Sequence, residues 1–395
     1  MKRIELLAPA GDLEKLKMAV MYGADAVFVG SKEFSLRSRA SNFTISDLYE
    51  GAKFCHGHDA KLYVTTNIVA HNEDLEGLIE YLKEIEKAGV DAIICSSYAI
   101  MELAKRHTKL DIHVSTQQSV SNSLGVKFYQ DFGATRVVLA RENTIEEIKQ
   151  IKEKCDVELE VFIHGGMCSS YSGRCMLSNH MTNRDANRGG CAHSCRWNYH
   201  LYDGNDNLIS ASDMFQFASK DLSAIAVLPS LIPCCDSLKI EGRMKSLHYI
   251  ATVVKAYREL IDQYYLDPTK IDFKYYEDQI KKAENRIFAT GFLDGYKGVL
   301  TQLYNMRSEK AIQNFLGIFL GYDKKTGLAK IDVRNYFDAT TNLEIFSPNE
   351  KDRYFNIKEI YDEDMNLIDA ARHPKDIVYI KCPYEVKEYD ILRSR

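Results

Sequence analysis

Short apolar runs alternate along the first two thirds of the chain with stretches whose apolar residues recur at three- and four-residue spacing. The runs are IELLA at 4–8, DAVFVG at 25–30, KLYVTTN at 61–67, DAIICSS at 91–97, DIHVSTQ at 111–117, TRVVLAR at 135–141, LEVFIHG at 159–165 and DSLKIEG at 236–242. Each is long enough for a buried strand and too short for a typical helix. Between them, Leu13, Leu16 and Val20 follow a capping Asp12, and Leu75, Leu78, Ile79 and Leu82 mark another helical face. Thr144 and Glu147 stand where a capping box opens a third helix. Eight strands joined by helical crossovers predict an α/β fold, a (β/α)8 TIM-like barrel, since eight is the number that closes. An open doubly wound sheet is the competing arrangement for the same alternation.

The pattern changes after residue 266. Tyr276, Ile280, Ala283 and Ile287 keep helical spacing, and from about 312 short strand-like runs follow: NFLGIFLGYD, GLAKIDVRN, NLEIFSP, IKEIYDEDMN and DIVYIKC, broken by Gly, Asp, Asn and Pro. Such punctuation predicts a small antiparallel β-barrel domain. The chain thus divides into a TIM-like barrel over 1–266, a helical connector over 267–311 and the small β-barrel over 312–395.

Composition narrows the setting. A chain of 395 residues, 45% hydrophobic and 27% charged, is ample for two well-buried cores. Its start lacks a signal-peptide apolar region and nowhere are there 18 consecutive apolar residues, so a cytoplasmic protein without a membrane partner is expected. The net charge of −5 provides no global basic field, and an RNA partner would need a local basic patch.

The densest chemistry lies between Cys168 and Cys195, where four of the ten cysteines are spaced C-x6-C-x15-C-x3-C among Gly, Ser, Asn and Arg. Thiolates are the soft ligands of zinc and of iron–sulfur clusters, and zinc knuckles usually supply C-x2-C or C-x4-C pairs. The spacing leans towards iron and sulfur and leaves zinc open. Cys168, Cys175, Cys191 and Cys195 are the candidate metal ligands. Cys234 and Cys235 are rivals that stand just before the eighth strand, where they read as packing at a strand entry, and Cys55, Cys95, Cys155 and Cys382 read as structural. This segment, about 165–215, follows the seventh strand, which puts it over the barrel mouth where strand C-termini gather catalytic residues. Polar strand ends face the same mouth: Thr65, Thr66 and Asn67, Ser115 to Gln118, Arg141 and Glu142, His164, and Lys239 through Lys245.

Several separated blocks carry a resemblance. EVFIHGGMC at 160–168 with GRCMLS at 173–178, ELLAPAGD at 5–12, SLRSRASNFT at 35–44, NRGGCAHSCRW at 187–197, KIEGRMKS at 239–246 and RIFATGF at 286–292 resemble the blocks of the collagenase-like peptidase U32 family, with Gly166 in place of the usual small Ser or Ala. Among its branches the chain is most similar to the tRNA uridine hydroxylation proteins. The resemblance implies a 4Fe-4S cluster on Cys168, Cys175, Cys191 and Cys195, oxygen-independent 5-hydroxylation of the wobble uridine of tRNA, prephenate as a small anionic cosubstrate and a paralogous U32 subunit as partner. It also implies a C-terminal domain like the β-barrels of translation factors. Hydroxylation of another RNA and a noncatalytic tRNA-binding subunit are alternatives within it.

Candidate catalytic residues are His164, as a proton carrier, with Glu241 and Arg243. Candidate anion-binding residues are Arg37, Arg39, Arg174, Arg188 and Lys245, because guanidinium matches carboxylate and phosphate bidentately. Tyr171 and Trp197 lie beside the ligands, to shield a cluster or stack on a base. Peptidase activity is the other reading. No G-x-S-x-G or H-E-x-x-H motif stands out, which leaves a Cys168–His164 pair as the conceivable nucleophile.

Overall fold

The computed structural model describes residues 3–31, 34, 42–209, 215–283, 287–303 and 314–395. Strands β1 (Glu5–Pro9), β2 (Ala26–Gly30), β3 (Lys61–Thr66), β4 (Ala92–Cys95), β5 (Asp111–Val114), β6 (Arg136–Val138) and β7 (Glu158–Gly165) pair in parallel in chain order. A short strand β8 (Asp221–Ser223) intervenes before β9 (Ser237–Ile240), which pairs in parallel with both β7 and β1 and closes the barrel. All eight expected strands are present, and the closure excludes the open sheet. Strands β8 and β10 (Phe288–Ala289) extend the wall beside β7, β8 antiparallel to it. The stretch expected to be a helical connector therefore returns a strand to the barrel.

Helices α1 (Leu13–Met21), α2 (Ile45–His56), α3 (Leu78–Lys87), α4 (Tyr98–His107), α5 (Ser123–Phe132) and α6 (Ile145–Lys152) are the crossovers. Asp12 caps α1 by accepting from Lys15 N–H, and Thr144 with Glu147 closes the capping box of α6. The periodicity from Leu75 to Leu82 is interrupted: Asn72–Leu75 forms a 3-10 turn and Gly77, at φ 71°, starts α3. Later come α7 (Leu177–Thr182), α8 (Leu228–Leu231), the twenty-residue α9 (Leu247–Leu266) and α10 (Phe273–Lys281).

The barrel interior is divided by chemistry. Leu7, Ala26, Phe28, Tyr63, Ala92 and Ile94 fill one side with apolar surface. The other side carries Arg136, 3% exposed, whose guanidinium meets Glu5 at 2.5 Å, Glu158 at 2.7 Å and Glu160 at 3.1 Å. Glu160, fully buried, also accepts from Lys239 at 2.7 Å. The Arg136 guanidinium counters the burial that would raise the Glu5 pKa and holds it below its ordinary value. Breaking a buried ion pair strands its partner, so Arg136→Met is expected to cost about 3–5 kcal/mol in urea unfolding, where an exposed pair would cost under about 1.

Ten further strands build an antiparallel, β-rich C-terminal unit: β11 (Phe315–Asp323), β12 (Leu328–Val333), β13 (Phe337–Asp338), β14 (Leu343–Phe346), β15 (Arg353–Phe355), β16 (Ile360–Tyr361), β17 (Leu367–Ile368), β18 (Ala370–Ala371), β19 (Ile377–Lys381) and β20 (Ile391–Ser394). It has its own core, including Phe319, Ile331, Phe337 and Ile380. Ile318, Phe346 and Ile391 join the barrel's core instead. The Lys255 ammonium on α9 donates to the carbonyls of Ser347 at 2.8 Å and Glu350 at 2.9 Å, tying the two units together.

Candidate active site at the barrel mouth

A cavity of about 160 Å³ opens at the C-terminal ends of the barrel strands. Phe28, Ile94, Val138 and Phe162 give it apolar walls, and Thr65, Asn67, Ser115, Thr116 and Gln117 add hydrogen-bonding groups. Three cations, Arg141, Lys239 and Arg243, and one carboxylate, Glu241, complete the lining. The Lys239 ammonium stands 4.5 Å from the Phe28 ring centre and 5.4 Å from that of Phe162, so it links the buried charge network to the cavity floor. Burial lowers the Lys239 pKa and the Glu160 carboxylate opposes that fall.

Of the candidate catalytic and anion-binding residues that lie among the described ones, Glu241 and Arg243 line this cavity. The Arg243 guanidinium, 4% exposed, reaches Thr65 Oγ1 and Asn42 Oδ1, each at 3.3 Å. Glu241 is fixed by its backbone, with its N–H donating to His164 O and its carbonyl accepting from Tyr249 at 2.8 Å. Gly165 makes this close approach of chains feasible, because a Cβ there would lie 2.7 Å from Glu241 O.

His164 is not in the cavity. The register of β7 against β9 shifts between Phe162 and His164, so Phe162 faces inward and the imidazole turns outward onto α9. Its Nδ1 lies 3.3 Å from the Tyr257 hydroxyl and its ring packs on Tyr249 and Phe288. Burial, with the nearby Lys245 charge, pushes its pKa down to about 3, and among the described residues Nε2 has no hydrogen-bond partner. A proton carrier at the mouth is therefore not its role, and the Cys168–His164 nucleophile pair is not assembled.

The anion-binding candidates separate in the same way. Arg188 is occupied by Asp74 at 2.5 Å, Glu73 at 3.3 Å and the Val69 carbonyl at 2.7 Å, and it staples the cysteine segment to the β3–α3 connection. Arg174 is exposed on the segment's surface. Lys245 lies over the Tyr249 ring at 5.3 Å and does not line the cavity. Arg37 and Arg39 fall outside the described residues. Conversely, Arg141 and Lys239 line the cavity although the sequence marked them only as strand-end residues.

The cysteines fall into two populations. Cys55, Cys95, Cys155, Cys234, Cys235 and Cys382 are buried, whereas Cys168 and Cys191 are exposed and Cys175 and Cys195 half-buried. Cys234 and Cys235 donate to the carbonyls of Ser230 and Leu231 beside α8, as structural thiols do. The pKa of Cys168 is raised by burial on its protein side, with the Cys175 and Cys195 sulfurs adding to the rise, so these three share one electrostatic neighbourhood. Four thiols outside the core on one segment have the donor chemistry of an iron–sulfur cluster. Among the described residues, no three His, Cys, Asp or Glu side chains converge closely enough to hold a single metal ion. Tyr171, Met176 and Trp197 beside them are exposed.

The segment is seated on the mouth by its own hydrogen bonds. Glu142 accepts from Ser172 N–H and Oγ, each at 2.9 Å, and Val69 N–H donates to Asn187 O. The model of peptidase family U32 matches residues 11–302, and that of the peptidase family U32 C-terminal domain matches residues 312–393. The chain belongs to peptidase family U32. This U32 protein is 48% identical over 401 aligned residues to tRNA hydroxylation protein P1 of Bacillus subtilis (strain 168), covering 100% of this chain and 95% of that one. It is 34% identical over 393 residues to tRNA hydroxylation protein P of Escherichia coli (strain K12), covering 87% and 86%. A 23S rRNA 5-hydroxycytidine synthase from the same strain is 37% identical over 261 residues, covering 66% of this chain and 39% of that protein. No described helix is long and apolar enough to cross a membrane.

Proposed function

We propose that this U32 protein is an RNA-modification enzyme of the cytoplasm that hydroxylates the wobble uridine of tRNA at C5 without molecular oxygen, using a 4Fe-4S cluster and prephenate. The observation that carries the reading is the pairing of a cation-lined mouth cavity with a segment of four non-core cysteines lying on it. The names of the full-length relatives supply RNA hydroxylation as the reaction class and tRNA as the partner.

Cys168, Cys175, Cys191 and Cys195 would hold the cluster, which supplies one-electron chemistry when bound. Arg243 and Arg141 would receive the carboxylates of prephenate, with Phe28 and Phe162 against its ring and the Lys239 ammonium beneath. Glu241 would orient a hydroxyl of the bound molecule. The uridine must leave its stack to reach such a site, and exposed Tyr171 and Trp197 offer surfaces for it. A paralogous U32 subunit would complete the tRNA-binding surface.

Deleting the gene together with any paralogue is expected to remove 5-hydroxyuridine derivatives from the tRNA nucleoside profile, and restoring this chain with its partner returns them. An unchanged profile would reject the tRNA reading.

A further inference from the structure

The cavity and the cysteine segment share a wall. Arg141 lines the cavity with its guanidinium 3.9 Å from the Phe162 ring centre, and Nη1 of the same group donates to the carbonyl of Gly166, two residues before Cys168. The backbone N–H of Arg141 donates to Ser172 Oγ at 3.3 Å, and Ser119 Oγ donates to Ser172 O. Gln117, another lining residue, presents its carbonyl to Gly173 so closely that a Cβ there would lie 2.2 Å from the oxygen. Its side chain bonds Asn67 in both directions, at 2.8 and 2.9 Å. Residues 166–173 thus rest on two residues that line the cavity, on the side chain and backbone of Arg141 and on the backbone of Gln117.

We infer that Arg141, a ligand-binding side chain of the mouth cavity, couples occupancy of that cavity to the order of the segment bearing Cys168 and Cys175. This rests on the reading that the cavity takes a small carboxylate. A carboxylate held by the guanidinium immobilises it, and the immobilised guanidinium holds the Gly166 carbonyl in turn, so binding in the cavity orders the backbone leading to Cys168. The same coupling acts in reverse: ordering the segment from outside raises affinity for the carboxylate by an equal factor.

Hydrogen exchange on the full-length protein, with and without saturating prephenate, tests the coupling directly, alongside calorimetric measurement of binding. The expected result is slower exchange across residues 166–175 in the wild type, by about tenfold. Arg141→Gln should bind prephenate about tenfold more weakly and, when saturated, show no such slowing; Arg141→Lys, which keeps the charge but loses the planar fork, should fall between. Tight binding that leaves exchange at 166–175 unchanged in the wild type would overturn the coupling and leave the cavity's ligand intact. Equal slowing in wild type and saturated Arg141→Gln would overturn the role of Arg141. Absence of binding to the wild type would overturn the carboxylate reading itself, and the coupling with it. Circular dichroism of both variants separates these outcomes from misfolding.

Discussion

Cys191→Ser is expected to strip the protein of most of its iron and to abolish tRNA hydroxylation while leaving the barrel folded. The thiol is exposed and belongs to neither core, so its replacement opens no apolar cavity. The hydroxyl is a poor substitute for a thiolate towards iron, because soft thiolate donors select the cluster. On the cubane reading, anaerobically purified wild type should be brown with about four iron and four sulfide per chain. The variant should be nearly colourless, with an unchanged far-ultraviolet circular dichroism spectrum. Cys235→Ser supplies the contrast. That residue is buried with its thiol donating to the Leu231 carbonyl, so its replacement should keep the iron and cost about 1–3 kcal/mol for placing a hydroxyl in an apolar site. If Cys191→Ser keeps its iron and Cys235→Ser loses it, the ligand set is wrong. Colourless wild type carrying zinc would remove the cluster altogether.

The difference between these two cysteines could be read in the sequence, because the ligand candidates stand among glycines and arginines whereas Cys234 and Cys235 adjoin a buried strand. The barrel was legible for a related reason. Parallel strands covered on both faces appear as continuous apolar runs, and residues 26–30 and 92–95 are buried throughout. Strands β8 and β10, of three and two residues, are too short to leave a period and exist only through pairing with distant chain. The partners of Arg136, Glu160 and Lys239 were likewise hidden, since alternation places each inside but closure of the barrel decides which meet. His164 shows the sharpest limit. Its position at a strand end indicated the mouth, and a single irregularity after Phe162 turned it to the other side of the wall. Arg188 was visible as a cation, yet only the fold brings Asp74 to it.

Stability should fall steeply as pH drops below about 6.5, because His113, His164 and His248 are all buried as neutral imidazoles. Burial leads the causes in each case, helped by Arg136 and Lys239 at His113, by Lys245 at His164 and by Arg393 and Lys282 at His248. The folded pKa of His164 and of His248 is about 3, and that of His113 is likewise well below 6.5. Their folded values are depressed, so the associated stability is fully present above the unfolded pKa of 6.5 and is lost as pH falls towards the folded values. Over that interval the unfolded chain binds protons that the native chain refuses, at about 1.4 kcal/mol per pH unit for each histidine. Asp352 works in the opposite sense: burial raises its carboxyl to about 6, so it gains a proton more readily in the folded state and offsets roughly one histidine between pH 6 and 4. Burial also raises the carboxyls of Asp25, Glu259 and Asp390, which work in the same sense as Asp352, so the net expectation is a loss of at most roughly 3 kcal/mol per pH unit below pH 6, measured as unfolding free energy in urea at pH 7, 6 and 5. His248 stacks on Phe315 at 5.3 Å between the barrel and the C-terminal unit, so His248→Gln should flatten the slope by about 1.4 kcal/mol per unit. A stability that stays level from pH 7 to 5, with His248→Gln following the same line as the wild type, would show that the His248 imidazole takes up a proton in the folded protein and that the seam beneath β11 admits water.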